Sequence, residues 1–131
     1  MNTLGARGKL PPMDRPRVVC LCGSTRFSDA FKAASMDRTL NGEIVLAPGC
    51  SIPDDDIFET FIPEAKRLAK AKLDVLHFRK IDLADYILVL NVEGYVGEST
   101  EREIEYARSH NKPICWLEDP HETPELLRPV S

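Results

Sequence analysis

Four short apolar runs alternate along the chain with longer segments in which apolar residues recur at helical spacing. Runs of this length, apolar at nearly every position, are typical of strands buried on both faces of a parallel sheet. The alternation predicts one α/β domain with helices on both faces of a doubly wound sheet of four to five strands. The predicted strands are 17–22, 43–47, 86–90 and 114–117.

A helical segment follows each of the first three strands. The apolar positions of the first helix are Phe27, Ala30, Phe31 and Ala34. The second helix is predicted to begin at Phe61 and to run for about five turns. Its apolar stripe is formed by Ile62, Ala65, Ala69, Leu73 and Leu76, widened by Leu68 and Val75. His77 falls near the end of this helix at the edge of the stripe, where a histidine is usually a packed or half-exposed residue.

The remaining segments divide the chain into three parts. Residues 1–16 are rich in proline and basic residues and predict a mobile N-terminal arm. Residues 17–117 hold all the predicted elements and form the domain. Residues 118–131 are rich in proline and acidic residues and predict a C-terminal tail that wraps the surface or frays.

Composition narrows the classes of partner. The 131 residues are 43% hydrophobic and 29% charged, with a net charge of -4, which is ordinary for a globular domain. Binding to a nucleic acid polymer or an anionic membrane needs a basic surface, so neither is expected. A small anionic ligand is still compatible with the net negative charge, because one arginine and a helix N-terminus suffice to hold it.

The sequence predicts a cytoplasmic protein without a metal site. No apolar run approaches the length of a membrane span, and the N-terminus lacks the apolar core of a signal peptide. Cys20, Cys22 and Cys115 lie in apolar runs, where a thiol behaves as a small hydrophobic group. Cys20 and Cys22 do not form a C-x-x-C pair, which argues against structural zinc. The acidic run 54–56 lacks the spacing of a calcium loop.

A polar loop follows the first strand directly. Gly23 lets a phosphate or sugar approach the backbone, Ser24 offers a hydroxyl, and Arg26 offers a planar fork suited to phosphate or carboxylate. Together they predict an anion site at a helix N-terminus. The alternative is that Ser24 or Ser28 only caps the helix and that Arg26 is solvated.

A second loop, 94–100, leaves the third strand and opens a helix that ends at His110. Parallel α/β sheets bind ligands at such strand ends. Glu103 is predicted in the first helical turn, facing that crevice. The alternative is a capping box formed by Thr100 and Glu103, in which the glutamate bonds back to the backbone. Tyr95 is expected either to stack on a base or to cover the sheet edge.

These segments resemble the nucleoside 2-deoxyribosyltransferase superfamily, which includes 2-deoxynucleoside 5′-monophosphate N-glycosidases. The similarity spans roughly Val18 to Leu117 and rests on three pieces in order. They are 22–26 (CGSTR), 80–85 (KIDLAD) and 99–107 (STEREIEYA). The last is similar to the family's G-T-x-x-E-[IL]-G-x-A helix start.

The resemblance implies a flavodoxin-like, Rossmann-like fold and a set of roles. Glu103 corresponds to the nucleophile, and Ser24 and Arg26 correspond to a loop that contacts the nucleotide. Ser99 and Thr100 stand where relatives bind phosphate or sugar hydroxyls, and Gly97 lies in the same loop. The resemblance further implies that no cofactor is needed and that a homodimer or larger assembly completes the pocket.

Two positions depart from the family pattern. His77 stands where an aspartate is usual, which makes it a candidate for protonating the leaving base, with Asp85 as a weaker candidate. Asp85 stands at a strand start and alternatively only orients the backbone. Glu105 stands where glycine is usual, and it is expected either to crowd the pocket or to face solvent.

The sequence therefore predicts an enzyme that cleaves or transfers at the N-glycosidic bond of a nucleoside or nucleoside 5′-monophosphate. Its expected partner is that small molecule. One alternative is a nucleotide-binding or sensing module of the same fold without turnover. A third interpretation, an interaction domain with no small ligand, is disfavoured by two polar loops at neighbouring strand ends.

Overall fold

The structure, a computed structural model, describes residues 15–48 and 62–120. The strands are β1 (Val18–Cys22), β2 (Ile44–Leu46), β3 (Tyr86–Val89) and β4 (Ile114–Trp116). The helices are α1 (Ser28–Leu40), α2 (Pro63–Leu83) and α3 (Glu98–Ser109), with a short 3-10 turn at Val92–Gly94 between β3 and α3. Each predicted strand is confirmed to within about one residue at either end, which is the usual variation of element boundaries.

All four strands of the described chain are parallel, in the order β2-β1-β3-β4. The predicted doubly wound, flavodoxin-like α/β fold is confirmed. β1 and β3 lie at the centre, with Val19 opposite Tyr86 and Cys22 opposite Val89. The chain leaves β1 towards β2 on one side and leaves β3 towards β4 on the other. The carboxyl ends of β1 and β3 therefore flank the point at which the winding direction changes, where folds of this kind bind ligands.

Alternate residues of the central strands enter two separate cores. On one face, Val19 and Leu21 pack with Ala34 of α1. On the other, Cys20 and Cys22 pack with residues of α2 and α3 such as Ile81 and Ile104. The two-residue period of a strand thus points both thiols towards α2 and α3.

Helix α2 presents a different face to the sheet from the one predicted. Leu76 is 54% exposed, whereas His77 is 6% exposed and Ile81 is fully buried. His77 and Ile81 continue the four-residue spacing begun by Ala65 and Ala69, which keeps one helical face against the sheet. Placing Leu76 in the buried stripe and His77 at its edge was wrong. The histidine occupies the middle of the buried face.

The end of α2 is fixed by a residue from a distant part of the chain. Lys112 donates from Nζ to the carbonyl oxygens of Asp82 and Ala84, at 3.1 and 2.8 Å. A cation that binds the last carbonyls of a helix satisfies groups that lack partners within the helix. The helix consequently runs to Leu83, through part of the segment read from the sequence as a lead-in to the strand.

Several sequence predictions lie outside the described residues. These are the arm as far as residue 14, the acidic run 54–56, and the tail beyond residue 120. Within the described ranges, no helix combines the length and apolar character needed to cross a bilayer.

Asp85 is expected to stabilise the start of the central strand pair. Its Oδ2 accepts the Val18 N–H at 2.8 Å, and its own N–H donates to the Val18 carbonyl at 2.7 Å. Asp85→Ala leaves the Val18 N–H without that acceptor and should lower the free energy of unfolding by about 1 to 3 kcal/mol. Urea denaturation measures the change. Asp85→Asn retains a side-chain oxygen and should lose less, whereas equal stability of wild type and Asp85→Ala would contradict the assignment.

Candidate functional site

A cleft of about 610 Å³ opens at the carboxyl ends of β1 and β3. Two loops and one face of α2 form its walls. The loop after β1 contributes Gly23, Ser24 and Thr25, and the loop after β3 contributes Tyr95, Gly97, Ser99 and Thr100. Helix α2 contributes Lys66, Lys70, Asp74, His77 and Lys80. The structure therefore brings both sequence-predicted loops to one site, and Glu103 is among the lining residues.

Glu103 does not cap helix α3. The helix begins at Glu98 with Gly97 as its N-cap, which makes no side-chain capping bond. Thr100 lies inside the helix and is buried, so it cannot act as the N-cap residue of a capping box. Glu103 is in the second turn, not the first as predicted, and the capping-box interpretation is wrong. The Glu103 carboxyl group is therefore not used in a capping hydrogen bond.

The carboxyl group of Glu103 lies beside His77. Its side chain is 16% exposed, and its Oε1 is 3.6 Å from His77 Nε2. Within the described residues, Oε1 of Glu103 and Nδ1 of His77 are buried without a hydrogen-bond partner. A buried carboxyl oxygen without a hydrogen-bond partner is poorly solvated. The structure therefore brings Glu103 and His77 together, and His77 reaches the cleft from the buried face of α2.

The thiols of Cys20 and Cys22, on β1, lie next to His77 and form a cluster with His77 and Glu103. The sequence analysis did not assign these thiols to the site. Sγ of Cys22 is 3.4 Å from His77 Nε2, and Sγ of Cys20 is 3.8 Å from the same nitrogen. Both cysteines are fully buried. The signal in the sequence was their two-residue spacing at the end of a strand, which puts both on one face next to the strand end. Cys115 differs from the prediction, since it is exposed on β4.

The four groups shift one another's pKa values. Burial raises the pKa of Glu103 to about 7, although the charge of His77 acts in the opposite direction. Burial acts to lower the pKa of His77, but the Cys20 hydrogen bond and the Glu103 charge outweigh it and raise that pKa. A hydrogen bond with Cys22 lowers the pKa of Cys20 to about 6. The same bond, together with burial, raises the pKa of Cys22. Within the thiol pair, ionisation is thus favoured at Cys20 and opposed at Cys22. Groups with strongly shifted pKa values in a cleft are typical of functional sites.

Arg26 and Tyr95 meet across the mouth of the two loops. The Arg26 guanidinium lies 4.4 Å from the centre of the Tyr95 ring and donates from Nη2 to its hydroxyl at 3.2 Å. Phe27 contacts the same ring edge to face, with 5.9 Å between centres. Tyr95 is half exposed and lines the cleft. Arg26 is thus held against the tyrosine while its side chain stays exposed to solvent.

The loop that carries Tyr95 is fastened to the end of β4. Asn91, which is buried, donates from Nδ2 to the carbonyl of Glu118 at 2.8 Å and accepts the Glu118 N–H at 2.9 Å. The Glu118 carboxylate also accepts the N–H of Glu93 at 2.9 Å. Glu93 and Gly94 have φ values of 55 and 82°, a left-handed turn that reverses the chain towards α3.

Hydroxyl groups line the cleft on both sides. Ser24 Oγ accepts the N–H of Arg26 at 3.3 Å, so it shapes the loop rather than capping α1, whose N-cap is Phe27. Ser99 Oγ accepts a hydrogen bond from Arg102 at 3.3 Å, whereas Thr100 is buried in the first turn of α3. The N-terminus of α3 thereby faces the cleft with its positive dipole end.

Two residues predicted near the site lie away from it. Asp85 begins β3, at the end of the sheet opposite the cleft, and its carboxylate bonds to the backbone of Val18. Its position does not support the weaker of the two proton-transfer assignments. Glu105 is 75% exposed on the outer side of α3, so it faces solvent and does not crowd the cleft.

The chain has no match to a protein-family model, a curated protein or a solved structure in comparisons with all three.

Gly23 is expected to be required for the close approach of β1 and β3. A Cβ atom at this position would lie 3.1 Å from Leu90 Cβ and 3.3 Å from the Leu90 carbonyl oxygen. Gly23→Ala should therefore push the two strand ends apart and lower the free energy of unfolding by about 1 to 3 kcal/mol. Thermal and urea unfolding measure it. Thr25→Ala, an exposed position in the same loop, should change stability by less than about 0.5 kcal/mol. Equal effects of the two changes would contradict this account.

Proposed function

We propose that this protein cleaves or exchanges the N-glycosidic bond of a nucleoside or nucleoside 5′-monophosphate, with Glu103 as the nucleophile. The observation that carries the proposal is the position of the Glu103 carboxyl group. It lies in a cleft at the carboxyl ends of β1 and β3, and its side chain is 16% exposed. It does not cap helix α3, and His77 Nε2 is 3.6 Å away. This combination of a ligand-sized cleft and a carboxylate with few hydrogen bonds suits attack on a carbon that develops positive charge.

In the proposed first step, a Glu103 oxygen attacks the anomeric carbon of the sugar. The bond to the base breaks, its electron pair stays on the base nitrogen, and that nitrogen takes up a proton from solvent in the open cleft. An ester joins sugar and Glu103. Water then attacks the same carbon and restores the carboxylate, or a second base does so in a transferase. A carboxylate beneath the anomeric carbon stabilises the oxocarbenium-like transition states of both steps.

His77 acts in this scheme through Glu103. The sequence suggested that the imidazole protonates the leaving base. Its Nε2 is instead turned towards Glu103 and the two thiols, and its Nδ1 is buried. A protonated imidazole at this position favours the ionised carboxylate, because an opposite charge within about 4 to 6 Å stabilises it. We therefore assign His77 as a positioning residue.

Three lysines in the cleft support a monophosphate as substrate. Lys66, Lys70 and Lys80 line it together with the N-terminus of α3, and the carboxyl groups of Asp74 and Glu98 lie on the same walls. Lys70 precedes His77 by two helical turns, about 10 Å along the helix axis. A sugar held against Glu103 could then direct its phosphate towards Lys70. Lys80 is already engaged, since its Nζ donates to the Ala47 carbonyl at 2.7 Å.

The outer face of α2 supports the expected homo-oligomer. Leu68, Val75 and Leu83 are large apolar side chains that are more than half exposed. An exposed apolar strip along one helix is typical of a surface that another subunit covers.

Replacing the Glu103 carboxylate should abolish base release. Wild type, Glu103→Gln and Glu103→Ala are incubated with a panel of nucleosides and 5′-monophosphates, with and without added bases, and free base is detected chromatographically. Loss of the nucleophile should lower kcat by at least about 10³-fold. A 2-fluoro-2-deoxy substrate, whose fluorine slows the second step, should leave a glycosyl adduct on the peptide that contains Glu103, detected by mass spectrometry.

Glu101→Gln is the matched control for this experiment, since Glu101 is an exposed glutamate of the same helix. It should retain wild-type rates. Absence of release from every substrate, with ligands still raising the melting temperature, would instead identify a binding module without turnover.

Lys70 is expected to select for the phosphate. Lys70→Met removes a cation from the cleft and should raise KM for the active monophosphate by about tenfold, equivalent to about 1.4 kcal/mol. KM for the parent nucleoside should change little, because it carries no phosphate. Steady-state kinetics on both substrates test this. Lys72→Met, an exposed position outside the cleft, is the control. Equal loss on both substrates would argue against a phosphate contact.

A further inference from the structure

Three side chains of metal-binding type converge behind the cleft. The Sγ atoms of Cys20 and Cys22 and the Nε2 atom of His77 all lie within 4.8 Å of one another. The two thiols come from one face of β1, and the imidazole comes from the buried face of α2. The convergence joins two elements that are far apart in sequence.

The distances match those of a tetrahedral coordination shell. Bonds of about 2.3 Å from zinc to sulfur and about 2.0 Å to nitrogen or oxygen place neighbouring ligand atoms about 3.3 to 3.8 Å apart. Nε2 of His77 is 3.4 Å from Cys22 Sγ and 3.8 Å from Cys20 Sγ. The two sulfur atoms lie within 4.8 Å of each other, so an ion between the three atoms would draw the thiols together by no more than about 1 Å.

A fourth ligand would come from the cleft side. Oε1 of Glu103 lies 3.6 Å from His77 Nε2 and has no hydrogen-bond partner within the described residues. It lies outside the group of three atoms that are mutually within 4.8 Å, so the Glu103 side chain would move inward to complete the shell. His77 and Glu103 line the cleft, whereas the cysteines lie behind them. An ion would thus arrive through the cleft and pass between the two lining side chains.

We propose that Cys20, Cys22 and His77 bind a thiophilic transition-metal ion of the Zn²⁺ class, with Glu103 as the fourth ligand. Thiolate, imidazole and carboxylate at tetrahedral spacing suit Zn²⁺ rather than Mg²⁺ or Ca²⁺, which prefer oxygen ligands. Protons that remain on the thiols and on the ligating nitrogen leave to solvent as the ion binds, and no redox change occurs. The sequence argued against zinc because it has no C-x-x-C pair. That argument does not hold for ligands that a strand and two helices bring together in the fold.

Metal binding would oppose the proposed glycosidase reaction. A Glu103 oxygen that coordinates the ion is not available to attack a sugar, so a bound ion inhibits turnover. The metal site is an addition to the proposed function and does not depend on it, because binding is measurable without any substrate.

Cobalt absorption tests the site directly. The full chain, reduced and free of metal, is titrated with Co²⁺ and then with Zn²⁺. We expect one equivalent of Co²⁺ to give sulfur-to-cobalt charge-transfer absorption and the strong visible bands of a tetrahedral ion, and Zn²⁺ to bleach both. Cys20→Ser and Cys22→Ser should each weaken Zn²⁺ binding by at least about 100-fold. Cys115→Ser, the exposed cysteine, should match the wild type.

X-ray absorption of the zinc-loaded wild type covers the case in which a cysteine variant does not fold. Two sulfur ligands support the site, and fewer than two overturn it. Absence of a charge-transfer band, or a band lost only in Cys115→Ser, also overturns it. Where the wild type releases base, one equivalent of Zn²⁺ should stop release and a chelator should restore it. Unchanged release with zinc bound would overturn Glu103 as a ligand and leave the glycosidase proposal intact.

Discussion

The parallel pairing of β1 with β3 is the contact on which both the fold and the candidate site depend. It places two apolar strands at the centre of the sheet and brings their carboxyl ends together, with the Leu90 N–H donating to the Cys22 carbonyl at 2.8 Å. The loops that leave these ends then diverge to opposite faces and open a cleft between them. Gly23 allows the approach, because any larger residue would press on Leu90.

The candidate site buries side chains that can carry a charge. Cys20, Cys22, His77 and Glu103 are all largely removed from water, yet each has a charged form that the others favour or oppose. Apolar residues would fill the same volume without this conflict. Such arrangements persist in proteins chiefly where the stored electrostatic energy serves binding or chemistry. The cluster of buried titratable side chains, rather than the size of the cleft, is therefore the stronger indication of a functional site.

The strands were predictable from the sequence because a central parallel strand is apolar at nearly every position. The orientation of α2 was less so. Leu76 is more apolar than His77, but the helix is oriented by Ile81 and the alanines that precede it, and the imidazole follows them into the core. The end of α2 depends on Lys112, a contact that no local pattern indicates. Glu103 was predicted as a site residue from a sequence resemblance, whereas its freedom from capping required the position of Gly97.

The two-residue spacing of Cys20 and Cys22 has a consequence for how errors in folding are detected. If β1 paired with β3 one residue out of register, both sulfurs would turn to the opposite face, towards α1, and His77 would face neither of them. The apolar character of β1 would hardly change, because residues on both of its faces are apolar. Such a mispaired chain would retain its secondary structure and lose the whole thiol and imidazole cluster at once. Formation of the cluster therefore depends on the correct register between β1 and β3, which hydrophobic burial alone does not distinguish from a one-residue shift.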